Sequence, residues 1–170
     1  ELTVENEAPV NAQLHIRYPG WVRNRAVPSG LFGFLYTPDT SPSCEVNGKS
    51  VNPQIRDGYL VLGGRWKKGD RVRIGFPMEP RLVKAHPRVE EKKGLVALQH
   101  GPVVYCAEQT DNITDVVEAT LSPDAVFSVE FHSGLLGGVN QVKAGNLLLV
   151  PYFSWANREV GKMNVWFGSP

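Results

Sequence analysis

Acid–base chemistry needs two positioned proton carriers, nucleophilic chemistry needs an activated thiol or hydroxyl, and a metal needs clustered donors. The carboxylates here, among them Glu5, Asp57, Asp70, Asp111 and Asp124, fall mostly in turn signals. There an Asp side chain helps to close the turn. Glu108 differs, because it follows the strand-like Val103-Val104-Tyr105-Cys106-Ala107. Its spacing offers no second acid, so a structural or solvated role leads. His15, His86, His100 and His132 are dispersed, and none adjoins a Ser or Cys in a nucleophile motif. His100 precedes Gly101-Pro102 and reads as a turn residue. Cys44 and Cys106 lie far apart, without Cys-x-x-Cys or His-x-x-x-His spacing, so a metal site or a disulfide has no support. Cys106, behind an apolar run, reads as an inert core thiol. No residue qualifies as catalytic, and none as a metal ligand.

Aromatic residues beside polar ones suggest a different activity, since Tyr and Trp rings stack on the apolar faces of sugars. Trp21 follows the breaker sequence Tyr18-Pro19-Gly20, which places its ring near a loop. Tyr152 and Trp155 sit in Pro151-Tyr152-Phe153-Ser154-Trp155-Ala156-Asn157-Arg158, where Asn157 and Arg158 offer hydrogen bonds to hydroxyls. Such rings also plug sandwich ends and seams between domains. Packing or interdomain contact therefore ranks above sugar contact for Trp21, Tyr152, Trp155, Asn157 and Arg158. Trp66 and Trp166 read as core or seam residues.

The elements that must position these residues are strands. The 170 residues include 17 glycines and 13 prolines, and these punctuate short apolar runs. Leu2 and Val4, then Leu14, Ile16 and Tyr18, alternate with polar neighbours at period two, as do Val72, Ile74 and Phe76. Val46-Asn47-Gly48-Lys49 is a type I′ hairpin signal. Further strands are expected at Tyr59 to Leu62, Leu95 to Leu98, Val103 to Ala107, Val116 to Leu121, Phe127 to Phe131, Leu147 to Tyr152 and Met163 to Phe167. Ser133 to Gly138 reads as a loop or tight turn. No stretch has a sustained helical period with caps. Residues 81 to 94 are rich in charge and contain Pro87, so a solvated linker or an exposed strand is expected there, ahead of a binding patch. The fold expected is all-β, two small antiparallel β-sandwiches in tandem, with the first over 1–82, a charged linker over 83–94 and the second over 95–170.

A net charge of +1 provides no basic field for nucleic acid. The longest aliphatic run, Leu147 to Val150, is too short to span a bilayer as a helix. Because the chain begins at Glu1, it reads as a piece of a longer polypeptide. Periplasmic, secreted and cytoplasmic locations all stay open.

Three signatures occur in one order: His15-Ile16-Arg17-Tyr18-Pro19-Gly20-Trp21, then Gly101-Pro102-Val103-Val104-Tyr105-Cys106-Ala107-Glu108, then Pro151 to Arg158 with Gly161-Lys162-Met163-Asn164-Val165-Trp166. With Asp57-Gly58-Tyr59-Leu60, Arg65-Trp66-Lys67-Lys68-Gly69-Asp70 and Phe76 to Arg81, they resemble the C-terminal part of glycoside hydrolase family 127, the β-L-arabinofuranosidase-like proteins. The resemblance covers nearly the whole chain. It implies two β-sandwiches that follow a catalytic α/α barrel, with the barrel upstream of the matched region. It places the family's acid/base glutamate and zinc-bound cysteine cluster in that barrel. No cofactor is therefore expected in this chain, and neither Cys44 nor Cys106 matches the cluster. Relative to the family, a strand or loop between Gly138 and Leu149 is expected to be reduced.

The function expected is that of a non-catalytic accessory portion of a bacterial glycoside hydrolase acting on L-arabinofuranosyl-containing plant glycans. Its partners would be the barrel of the same polypeptide, a second copy in a homodimer, and a glycan oligosaccharide. The rival readings are a carbohydrate-binding module and a purely structural interaction domain.

Overall fold

Alternation and turn chemistry produce strands almost throughout. The computed structural model describes residues 1–38 and 41–170, and every pairing between its strands is antiparallel. The all-β sandwich reading therefore holds. Among the described residues no helix is long and apolar enough to cross a membrane. The chain divides into two units, Glu1–Arg23 with Pro38–Pro77, and Asn24–Thr37 with Met78–Pro170.

In the first unit, strands Leu2–Thr3, Arg71–Gly75, Ser43–Val46 and Lys49–Ser50 form one sheet in that order. Strands Val10–Arg17, Tyr59–Trp66 and Gln54–Arg56 form the other. Their facing side chains make one core of Cys44, Leu62, Trp66 and Val72, extended by Leu14, Ile16 and Ile74. The hairpin signal at Asn47-Gly48 is realised with both φ angles positive, at 52° and 76°, and it pairs Val46 with Lys49. The Trp66-to-Asp70 turn is closed by Asp70, whose carboxylate accepts from the Lys67 backbone N–H at 2.9 Å and from the Asn47 amide at 3.0 Å. Those two hydrogen bonds hold its carboxyl below the usual carboxylate range.

In the second unit the hairpin strands Leu95–His100 and Val103–Glu108 pair only beside their turn, at Gln99–Val104 and His100–Val103. Beyond it they part. Leu95–His100 continues against Pro80–Ala85 and Phe167–Gly168, while Val103–Glu108 continues against Leu147–Pro151 and Met163–Asn164. The divergence makes two layers, and Leu82, Leu98, Tyr105, Val142, Leu149 and Phe167 fill the space between them. The Tyr105 hydroxyl crosses to the Asn140 carbonyl at 3.0 Å, which satisfies a polar group inside that core.

Several expectations need correction. The charged stretch expected as a linker over 83–94 begins inside a strand, because Pro80–Ala85 pairs with Leu95–His100 on one side and Phe32–Phe34 on the other. Arg81 looks solvated in sequence, yet it is buried with its guanidinium 3.4 Å from the centre of the Phe34 ring and 2.8 Å from the Asn24 side-chain oxygen. That pairing draws residues 24–37 into the second unit. Val116 to Leu121 is irregular rather than a strand; Val116 and Leu121 are buried as anchors of a loop. Met163 to Phe167 splits into Met163–Asn164 and Phe167–Gly168, one on each layer. Strand Val139–Ala144, with no expected counterpart, pairs as a hairpin with Leu147–Pro151.

Candidate functional site

The closing signature of the chain folds onto the end of the signature in its middle. Strand Val103–Glu108 finishes at Glu108, and the 3-10 turn Gln109–Asp111 brings Asp111 alongside. Strand Leu147–Pro151 pairs with it through Tyr105–Pro151 and Cys106–Val150. Pro151 is followed by the 3-10 turn Tyr152–Ser154, in which the buried Ser154 hydroxyl donates to the Pro151 carbonyl at 2.6 Å. Ala156 then adopts a φ of +58°, which turns the chain back toward the strand end.

Glu108 holds this return. It is only 4% exposed, and one carboxylate oxygen accepts from the Ala156 N–H at 2.9 Å. The other accepts from the Arg158 guanidinium at 2.5 Å. The same guanidinium donates in fork geometry to both Asp111 oxygens, at 2.6 Å and 2.5 Å. Asp111 foremost, then Glu108, hold Arg158 protonated above even the ordinary arginine range, against its partial desolvation. Behind them the buried Asn112 amide donates to the carbonyls of Glu108 and Leu148, and its oxygen accepts from the Leu148 N–H. Turn and strand are thus stapled together by side chains that all have partners.

The result is a fixed aromatic turn. Tyr152, Phe153 and Trp155 are 48%, 72% and 43% exposed on it. Asn157 is exposed and lies beside the Trp155 carbonyl, 3.5 Å away. Arg158, read in sequence as a donor to ligand hydroxyls, directs its N–H groups to Asp111 and Glu108. Trp21 belongs to the first unit, on the 3-10 turn Trp21–Arg23, and meets Phe76 edge-to-face at 6.0 Å. The buried Trp66 donates its indole N–H to the Ala12 carbonyl at 3.1 Å, and Trp166 leans on Phe32 at 5.6 Å. Sequence reasoning missed Asp111 as part of the cluster and Phe153 as its most exposed ring. The available signal was a carboxylate three residues after a strand-end glutamate, with one arginine in the signature that packs beside them.

Chemically the cluster is a clamp. Glycoside hydrolysis by two carboxylates requires one to donate a proton and the other to attack or to act as base. Here both acids are acceptors of one arginine. Burial pushes the Cys106 thiol up to about 12 and raises Cys44 as well, so neither is a nucleophile near neutral pH. The family resemblance implies a zinc centre in the barrel, upstream of this chain. Cys44 and Cys106 are buried free thiols in different units, and no three His, Cys, Asp or Glu side chains converge among the described residues.

Antiparallel strands throughout, in two units, define the class as all-β domains of the β-sandwich kind. Residues 1–78 match the model described as beta-L-arabinofuranosidase, GH127 middle domain, and residues 80–168 match the glycoside hydrolase family 127 C-terminal domain. The chain belongs to glycoside hydrolase family 127. A non-reducing end beta-L-arabinofuranosidase of Bifidobacterium longum subsp. longum is 34% identical across 97% of this chain and 30% of its own length. The solved structure of a GH127 beta-arabinofuranosidase superposes with a TM-score of 0.90 at 35% identity, over 96% of this chain and 28% of that one. The GH127 beta-L-arabinofuranosidase Ara127N-Se of Geobacillus stearothermophilus T6 gives 0.83 at 29% identity, over 99% and 28%. The chain spans less than a third of the length of these relatives.

Proposed function

We propose that this chain is the accessory β-sandwich portion of a glycoside hydrolase acting on L-arabinofuranosyl-containing glycans, and that it supports a catalytic domain on the same polypeptide. One observation carries the reading: the chain matches the middle and C-terminal domains of the family over nearly its whole length, while its relatives are more than three times longer. The Glu108–Asp111–Arg158 clamp supports it, because it uses the most buried carboxylate for architecture. The aromatic turn fits the role of a contact surface for that domain or for a second copy. Its rings are exposed rather than packed into the core of their own unit, and the clamp fixes the backbone that follows them at Ala156.

The test is hydrolysis of an aryl β-L-arabinofuranoside by the purified chain, with and without zinc. No turnover is expected. Turnover abolished by Glu108→Gln or Cys106→Ala would overturn the scaffold reading.

A second result bears on the aromatic turn. Left uncovered, it is expected to drive concentration-dependent self-association, which Phe153→Ser with Trp155→Ser should weaken without a change in secondary structure. Sedimentation showing a clean monomer at high concentration for the parent chain would remove that surface from the proposal.

A further inference from the structure

The first unit contains a cleft that its own packing does not explain. Strand Tyr59–Trp66 runs between Val10–Arg17 and Gln54–Arg56, but the latter covers only Tyr59 to Val61. Ahead of Gln54 the chain leaves that ladder at Pro53. From Leu62 onward this edge of the strand has no partner strand among the described residues. Beside it lies a cleft of about 690 Å³, in the range of small-molecule sites. Its polar lining residues include Asn52, Gln54 and Arg65, and Gln13, whose carboxamide oxygen already accepts from Arg56 at 3.1 Å. Asp70 also borders the space, with its carboxylate already held by Asn47 and the Lys67 backbone.

The strand contributes Gly63 and Gly64 to the cleft, both exposed. Consecutive glycines weaken a strand, because they lose more freedom on folding and pack nothing. Neither has a left-handed φ. A Cβ on Gly63 would meet nothing within 4 Å, and one on Gly64 would make ordinary contact with the Trp66 ring at 3.5 Å. At Gly75, by contrast, a Cβ would come within 2.5 Å of the Ser43 hydroxyl. A side chain at 75 would force the Ser43 hydroxyl to rotate away, whereas one at 63 or 64 would displace nothing. A strand glycine without a structural reason marks a place where something approaches the backbone closely.

We propose that this cleft binds a short neutral saccharide. Side-chain amides and a guanidinium suit hydroxyl groups, and Gly63, on the same face of the strand as Arg65, leaves backbone bare for a sugar ring to approach. An added peptide strand fits less well, because Val46, Asn47, Val51 and Asn52 wall the same space. The site goes beyond the scaffold reading. Its failure would leave that reading standing, because the measurement is binding to the first unit and not catalysis.

The experiment is amide chemical-shift titration of the 170-residue chain with an L-arabinofuranosyl oligosaccharide, with cellobiose as a second probe. Saturable shifts are expected at Asn52, Gln54 and Gly63 to Trp66. Gly63→Val should leave melting temperature unchanged or higher, because a β-branched residue suits a strand, yet weaken binding by about tenfold or more through steric clash. Gln54→Ala should weaken binding about fivefold at unchanged stability, by loss of one hydrogen bond. If Gly63→Val fails to fold, the inference that glycine is not needed there is overturned, and Gln54→Ala decides the binding site. No saturable shift with either saccharide, shifts confined to Tyr152–Trp155, or unaltered affinity in Gln54→Ala and Gly63→Val would overturn the proposal.

Discussion

Replacing Arg158 with alanine is expected to destabilise the second unit by about 3 kcal/mol, with a fall in melting temperature of roughly 6–12 °C. The estimate follows from what is left behind. The Glu108 side chain is 5% exposed and that of Asp111 11%, while Arg158 itself is 24% exposed. Breaking a buried ion pair costs roughly 3–5 kcal/mol, because the remaining charge is neither solvated nor paired. Partial exposure of the arginine places the loss at the lower end. Two neighbouring carboxylates would also lose the cation that separates them. Arg158→Lys should lose less, since it keeps the charge but not the fork that meets both Asp111 oxygens. Adding Glu108→Gln to Arg158→Ala should restore part of the loss by removing one of the facing charges. Hydrogen exchange gives a local readout. The Ala156 amide donates to Glu108, so it should exchange faster in Arg158→Ala than the amides of Val10–Arg17 do. A change in stability within about 0.5 kcal/mol would instead class the cluster as a solvated surface pair.

Much of this fold was legible because its signals are local. Asn47-Gly48 and Asp57-Gly58 need positive φ angles at both residues, and in each case the chain reverses there and pairs the flanking residues. Period-two runs such as Leu14, Ile16 and Tyr18 place alternate residues on the core face wherever one face is wet. What failed was non-local. Phe32–Phe34 is three residues long and carries no alternation of its own; only its pairing with Pro80–Ala85 makes it a strand. Charge density hid Leu82 and Val83, which are buried between Arg81 and Lys84 in a strand flanked on both sides. Arg81, Leu82 and Val83 are buried in succession, so both faces of this strand are covered and the period-two test does not detect it. Met163–Asn164 and Phe167–Gly168 are each two residues long, and their split follows from the parting of the strands they join.

The candidate site was legible in part for the same reason. The aromatic signature is a property of sequence, and so is its position after a strand ended by Pro151. That Glu108 would be buried required knowing that residues 152–158 fold over it. A strand-end glutamate is solvated by default, and only the return turn at Ala156 brings Arg158 to its carboxylate. The inert reading of Cys106 was local in origin, since an apolar run on its N-terminal side already implied burial. The structure adds that Tyr105 and Cys106, neighbours in one strand, are both buried, at 2% and 0% exposure: Tyr105 in the core between the layers, and Cys106 on the opposite face, near Glu108 and Asp111.

That adjacency gives the second large expectation: under reducing conditions, raising the pH from 8 to 11 should lower stability by about 4 kcal/mol. Burial pushes the Cys106 thiol from an ordinary value of 9.0 up to about 12, and the Tyr105 hydroxyl from 10.0 up to about 12. Above pH 9 the unfolded chain therefore loses protons that the folded chain keeps. The unfolded state binds fewer protons in this window, so stability falls as pH rises. It is fully present below the unfolded values and is lost progressively toward pH 12. At about 1.4 kcal/mol per unit, two units for the thiol and one for the phenol sum to about 4 kcal/mol at pH 11. Cys106→Ala tests the assignment. It should cost about 1 kcal/mol at pH 8 through lost packing, yet reduce the drop between pH 8 and 11 to less than half that of the parent. Urea titrations of both proteins at the two pH values measure it. If the drop is the same size in Cys106→Ala, the alkaline instability arises elsewhere, and the thiol is not held in its protonated form by the core as its burial implies.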